Sequence, residues 1–201
     1  MSATEPDLRA RNLRTLALLA ALFVVPLALA FFTYYGTSWR PLSRVNHGQL
    51  ITPVRALPPG ALPQVLPELP GTAATPFRDQ WSLVYLGEGS CPDACRQALY
   101  VMRQTRLSLN NDMTRVARVF LATGECCARD FLAHDHAGLV VLDATGAGAQ
   151  GLLAQFPPGE RAHTLFVVDP LGNLMMSYDA RENPRGLLED LKKLLRLSHI
   201  G

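Results

Sequence analysis

Cysteine is scarce in this chain of 201 residues: there are four, too few to staple a scaffold of this length. A one-sided charge is missing too. The net charge is +2, and no basic stripe with interleaved aromatics stands out, so nothing argues for a nucleic-acid partner. There is no glycine-rich phosphate loop, no Ser/His/Asp arrangement, no glycosidase-like carboxylate pair and no internal repeat. Phosphate-cradling folds and the familiar hydrolases are thereby set aside. What remains is where the few cysteines fall. They form two close pairs, Cys91/Cys95 and Cys126/Cys127, which suggests chemistry rather than stapling.

Charge is also absent locally. From Thr15 to Tyr35 no residue is charged, and about 20 apolar residues span a bilayer as a helix. Tyr34, Tyr35 and Trp39 read as an interfacial belt. Pro26 is tolerable inside such a helix. A cleaved signal peptide is the competing reading, but the run is longer than the usual apolar core of one and lacks a small-residue cleavage site. Arg9, Arg11 and Arg14 precede the span while Arg40 and Arg44 follow it, a slight lean to an inside N-terminus. Seven prolines lie between Pro53 and Pro76, a density that forbids regular helix and favours extended chain. The expected organisation is a cytoplasmic tail over 1–14 and a transmembrane helix over 15–35. A Pro-rich tether follows over 36–76, part of it packing as an edge segment, and then a domain over 77–201.

Within the domain, Trp81–Leu86 is a continuous apolar run, as in a central parallel strand. Pro92–Asn110 has helical periodicity. Val116–Thr123, Leu139–Leu142 and Thr164–Val168 read as further strands, with a short helix at Gln150–Phe156. Asp169-Pro170-Leu171-Gly172-Asn173 has turn chemistry, and Leu174–Tyr178 returns as a hairpin partner. Asn183 and Pro184 open a last helix. Early alternation of strand and helix implies a parallel sheet, and the final hairpin adds an antiparallel edge. The fold expected is α/β and thioredoxin-like, preceded by one transmembrane helix.

Cys91 and Cys95 sit where the first strand hands over to a helix, the edge on which such folds place their sites. With Pro92 at the first helical position, Cys91 becomes the cap and Cys95 its neighbour one turn on. The partial positive charge of a helix N-terminus favours thiolate. Such a thiolate serves either as a redox nucleophile or as a soft metal ligand. Three intervening residues, rather than two, leave room for a metal between the sulfurs. His163 stands one residue before the Thr164 strand, in a loop that packs against the active-site cysteines of thioredoxin-type folds, and is either a third ligand or a satisfied loop residue. Two thiolates and an imidazole make a soft three-coordinate site suited to Cu(I). Cys126 and Cys127 follow the second strand, whose end lies on the same sheet edge. They are either thiols without a role, receivers of a disulfide from the first pair, or lenders of a sulfur to a metal. Asp93 either accepts helix N–H bonds or tunes the thiolates. His134-Asp135-His136 reads as a solvated loop, with a surface metal contact as the alternative.

Ser90-Cys91-Pro92-Asp93-Ala94-Cys95 resembles the Ser-Cys-Pro-Asp-x-Cys motif of the Sco/SenC family of copper proteins, which assist cytochrome c oxidase assembly. The membrane anchor and the His163…Asp169-Pro170-Leu171-Gly172 segment are similar as well. In that family the histidine lies two residues further from the Asp-Pro turn, a place taken here by Arg161, and a proline often stands where this chain has Arg96. A two-residue shift keeps strand parity. The resemblance implies a metallochaperone in the bacterial inner membrane, single-pass, its domain facing the periplasm. Copper would be held by Cys91, Cys95 and His163 and delivered to a copper-receiving cytochrome c oxidase subunit. The alternatives are a thiol–disulfide oxidoreductase acting through Cys91 and Cys95 on the cysteines of an oxidase subunit, and a non-catalytic interaction module.

Overall fold

The computed structural model describes residues 5–36, 45–60, 62–66, 77–159, 161–198 and 200. Trp39, Arg40, Arg44 and prolines 67, 70 and 76 lie outside the described residues. The chain divides into two units, Met1–Val45 and Asn46–Gly201.

The first unit is helix α1 (Glu5–Gly36), with Pro26 inside it. Its stretch Arg11–Gly36 has a mean hydropathy of 2.6 and none of it is buried. Thr15 and Thr33 donate their hydroxyls to the carbonyls of Arg11 and Leu29, at 3.0 and 2.9 Å. That turns the polar groups of this apolar helix inward onto its own backbone. By length and composition α1 suffices to cross a bilayer.

The second unit is a sheet flanked by helices. Its elements in chain order are β1 (Gln49–Ala56), β2 (Gln64–Leu66), β3 (Trp81–Glu88), α2 (Asp93–Leu107), β4 (Val116–Thr123), α3 (Arg129–Asp135), β5 (Val140–Asp143), α4 (Gln150–Leu153), β6 (Thr164–Val168), β7 (Asn173–Asp179) and α5 (Pro184–Leu197). The sheet runs β1-β7-β6-β3-β4-β5-β2. β3, β4 and β5 are parallel neighbours; every other pairing is antiparallel. The expected mixed α/β order is thus the observed one.

Strand alternation sorts the core onto two faces. Leu83, Tyr85, Phe120, Leu165 and Val167 pack with Ala98 and Met102 of α2 and Leu187 and Leu191 of α5. Val84, Leu86, Val119, Leu121 and Phe166 pack on the other face with Leu152 of α4 and Phe156. Each fully buried side chain of this size contributes about 1.5–3 kcal/mol.

The stretch read as a tether is more than a spacer. Its residues 49–56 and 64–66 are edge strands, β1 on β7 and β2 on β5. Leu57 and Leu62, set among prolines, are buried on the second face. Proline blocks a helix but is compatible with edge strands and extended chain. The edge packing expected for part of this segment therefore covers most of its described length.

Asp190 fastens β1 to the domain. Its carboxylate accepts N–H bonds from His47 (2.7 Å) and Gly48 (3.0 Å) and the Tyr178 hydroxyl at 2.8 Å. Burial, reinforced by Asp190, pushes the Tyr178 phenol well above its ordinary range. Asp190→Ala leaves three donors without their acceptor at a site that is only 5% exposed. The expected loss is about 3 kcal/mol, read as a lower urea midpoint of the full chain.

Candidate functional site

The turn that carries the cysteines is built by hydrogen bonds from three directions. Cys91 N–H donates to the Glu88 carbonyl at 3.0 Å, closing a tight turn at the end of β3. Gly89 donates to the Thr123 carbonyl at 3.0 Å, and Ala128 donates to the Gly89 carbonyl at 3.0 Å. The turn is therefore clamped to the end of β4 and to the loop beyond it. Parallel neighbours ending on one edge give this arrangement, and they bring Cys126 beside Gly89 as expected. A Cβ on Gly89 would lie 2.6 Å from the Cys126 Cα.

Cys91 is not the helix cap. It takes φ 50°, in the left-handed region, and Pro92 is the N-cap with φ −62° and ψ 176°. The physical reason is the tight turn that its N–H closes onto the Glu88 carbonyl, which holds Cys91 at a left-handed φ instead of the extended backbone that an N-cap takes. Holding a cysteine at such a φ costs about 1–3 kcal/mol. The surrounding clamps supply the constraint. Cys95 occupies the first turn of α2, and the two cysteines are joined as a disulfide with a Cα–Cα distance of 5.0 Å. Both members of the pair are shut off from solvent: Cys91 is 1% and Cys95 0% exposed. Asp93 sits in the same first turn, where its negative charge suits the helix N-terminus.

His163 lies one residue before β6, with the strand parity of Leu165 and Val167, which face α2. It is half-buried, and its Nδ1 is buried with no hydrogen-bond partner. Its loop is pinned by the Tyr85 hydroxyl, which donates to the Ala162 carbonyl at 3.0 Å. Burial, then the charge of Glu88, pushes the Tyr85 phenol up to about 12. Arg161, the residue at the Sco/SenC histidine place, donates instead to the carbonyls of Phe156 (3.1 Å) and Pro157 (3.0 Å). Among the described residues no three His, Cys, Asp or Glu side chains group as a metal-binding set. The structure joins Cys91 to Cys95 and does not bring His163 into such a group with them.

Cys126 and Cys127 are paired with each other as a vicinal disulfide. Cys126 is exposed and Cys127 half-buried, packed against the core cluster that holds Cys91 and Cys95. The Arg96 guanidinium lies 4.2 Å over the Phe131 ring, tying α3 to the head of α2. Sequence reasoning overlooked this contact and the role of Gly89, both of which depend on tertiary neighbours. The Gly-Ser turn directly before Cys91 was the available signal for the second.

The His134-Asp135-His136 segment is a solvated loop only in part. His134 and Asp135 end α3 and are exposed, but His136 is 4% exposed, its ring edge-on to Phe131 at 5.0 Å. Burial and the nearby Arg118 and Arg103 hold its pKa below the ordinary 6.5. Arg118 is itself buried on β4, donating to the Ala137 carbonyl at 2.6 Å. Burial, then Arg106 and Arg103, brings its guanidinium down to about 10. A histidine held neutral by folding contributes stability that is complete above its unfolded value of about 6.5 and is lost as pH falls below it. Unfolding free energy measured from pH 7 to pH 5 should therefore fall less steeply in His136→Gln than in the wild type.

The profile of the transmembrane-like, thioredoxin-like C-terminal domain family matches residues 81–198. Among solved structures, apo Sco1 from Thermus thermophilus superimposes with a TM-score of 0.57 at 19% identity, covering 76% of this chain and 99% of that one. Copper-bound yeast Sco1 gives 0.53 at 14% identity, over 61% of this chain and 82% of that one. Yeast Sco1 in a second crystal structure gives 0.53 at 13% identity, over 61% and 83%. No curated protein sequence matches the chain. At these identities the Sco likeness expected from the cysteine motif extends to the fold.

Proposed function

Because the chain belongs to the transmembrane-like, thioredoxin-like C-terminal domain family, we propose that it is a membrane-anchored, Sco-like copper metallochaperone. Its cargo is copper, and its recipient is a copper-receiving cytochrome c oxidase subunit. α1 is the anchor in the bacterial inner membrane, and the Asn46–Gly201 unit faces the periplasm. The observation that carries the reading is the buried Cys91–Cys95 pair at the junction of β3 and α2. Reduced, the pair supplies two soft sulfurs at a helix N-terminus, where thiolate is favoured over thiol. In this reading His163, one residue before the strand that pairs with β3 and with its Nδ1 unpartnered, moves in as the third ligand. Two thiolates and one imidazole suit Cu(I). Binding deprotonates the thiols, so uptake strengthens as pH rises. Release proceeds by exchange of these ligands for thiolates of the recipient.

A second reading is favoured by the disulfide itself. Two cysteines joined at the head of a helix can exchange with a partner's thiols, as in a thiol–disulfide oxidoreductase. The full chain in detergent, loaded anaerobically with Cu(I) before and after reduction, separates the two. The chaperone reading expects about one copper per reduced chain and none on the disulfide form. Equal copper on both forms overturns it.

A further inference from the structure

The cysteines proposed to take copper are shut off from solvent. Cys91 is 1% and Cys95 0% exposed. Reduction of a disulfide requires a thiolate to approach one of its sulfurs, so access governs the rate. While the two are joined, neither residue presents its sulfur at the surface to a macromolecular dithiol. The second pair differs in that respect. Cys126 is exposed, and Cys127 is half-buried against the cluster that contains Cys91 and Cys95. Backbone contacts hold the two pairs together. Ala128 donates to Gly89 at 3.0 Å, a Cβ at Gly89 would meet the Cys126 Cα at 2.6 Å, and Arg96 rests on Phe131 at 4.2 Å. The vicinal pair, one member of it exposed, thus lies beside the turn that carries the buried disulfide.

We propose that Cys126 and Cys127 form a solvent-facing relay that passes two electrons from an external dithiol protein to the Cys91–Cys95 disulfide. A thiolate of the external dithiol attacks Cys126 Sγ and releases the Cys127 thiolate. The second external thiol then displaces Cys126, so the external donor leaves as a disulfide. The Cys127 thiolate next attacks a sulfur of the Cys91–Cys95 bond. A mixed disulfide forms, and one of those two cysteines leaves as thiolate. Cys126 attacks Cys127 Sγ in that mixed disulfide, which re-forms the vicinal disulfide and frees the other cysteine. The two protons of the external dithiol end on Cys91 and Cys95, or in solvent when copper takes the thiolates. The relay rests on the reading that Cys91 and Cys95 must be reduced before they take copper.

The test uses the full chain in detergent, wild type beside Cys126→Ser/Cys127→Ser, with reduced thioredoxin or a small phosphine as reductant. Reduction of Cys91–Cys95 is followed by alkylation and mass spectrometry of the tryptic peptide 79–96. With thioredoxin the variant should react at least about tenfold more slowly, because the buried sulfurs lack an accessible partner. With the phosphine both proteins should react alike. Equal thioredoxin rates overturn the relay. Single Cys126→Ser removes the resolving thiol. With its lone Cys127 thiol free, Cys91–Cys95 still oxidised and no reductant added, it should accumulate peptide 79–96 linked to peptide 119–129; absence of that linked pair also overturns the relay. Copper binding keeps the two ideas apart. A phosphine-reduced Cys126→Ser/Cys127→Ser chain that takes Cu(I) as the wild type does, yet shows unchanged thioredoxin rates, refutes the relay alone. A reduced wild-type chain that takes no Cu(I) refutes the chaperone reading beneath it.

Discussion

Cys91→Ser/Cys95→Ser should weaken Cu(I) binding by more than about a hundredfold, since even an outer-shell partner of a metal ligand is worth about 10–100-fold. Serine keeps the volume but replaces a soft, readily ionised sulfur with a hard hydroxyl that stays protonated. Softness is what selects Cu(I) over the harder ions. Both positions are buried at 1% and 0% exposure, so water does not make up the lost ligation. The same substitution removes the disulfide, which closes only a very short loop. Little unfolded-state entropy is at stake in a loop of that size. The unfolding midpoint of the variant should therefore stay near that of the reduced wild type, while a competition titration with a Cu(I) chelator records the loss. Copper affinity and stability are expected to separate in this variant.

Gly89→Ala should do the opposite, acting first on the structure. A Cβ there would stand 2.5 Å from the Glu125 carbonyl oxygen and 2.6 Å from the Cys126 Cα. Both are backbone atoms, so no side-chain rotation relieves the clash. The 124–128 loop or the end of β3 has to move, and the hydrogen bond from Ala128 to Gly89, 3.0 Å long, stretches with it. Overpacking of this kind costs about 1–3 kcal/mol, and backbone against backbone belongs at the upper end. The measurement is the urea midpoint of the full chain. The relay rate from thioredoxin to Cys91–Cys95 should fall in the same variant, because the loop that carries Cys126 and Cys127 is what moves.

The parts of the fold that could be read in the sequence are those decided locally. Val116–Thr123 and Thr164–Val168 are strands over the expected residues, because central strands buried on both faces are continuous apolar runs. Asn183 caps α5 as expected, accepting the Gly186 N–H at 2.8 Å. The turn after β6 also follows its residue types: Asp169 accepts the N–H groups of Leu171 and Asn173 at 2.9 and 2.8 Å. What the sequence hid depends on distant partners. β1 is a strand because Gln49 and Leu50 meet Ser177 and Met176, a pairing that no local pattern announces. His136 follows a short helix in a polar-looking segment, and only the packing of Phe131 and Arg118 buries it. The cysteine motif was legible because its residues are consecutive. The nearness of Cys126 was legible too, since parallel neighbours end on one edge, but the left-handed Cys91 and the burial of both sulfurs were not: they arise from the clamp between β3 and β4.

His163 decides whether the copper site has a third ligand. It lies on the right sheet edge, with an unpartnered Nδ1, two residues from the place that Arg161 occupies. The direct measurement is X-ray absorption at the copper edge of the reduced, Cu(I)-loaded full chain, wild type beside His163→Ala. Sulfur and imidazole scatterers are expected around copper in the wild type, with the imidazole contribution gone from the variant and the sulfur contribution kept. Identical spectra from the two proteins would contradict that expectation.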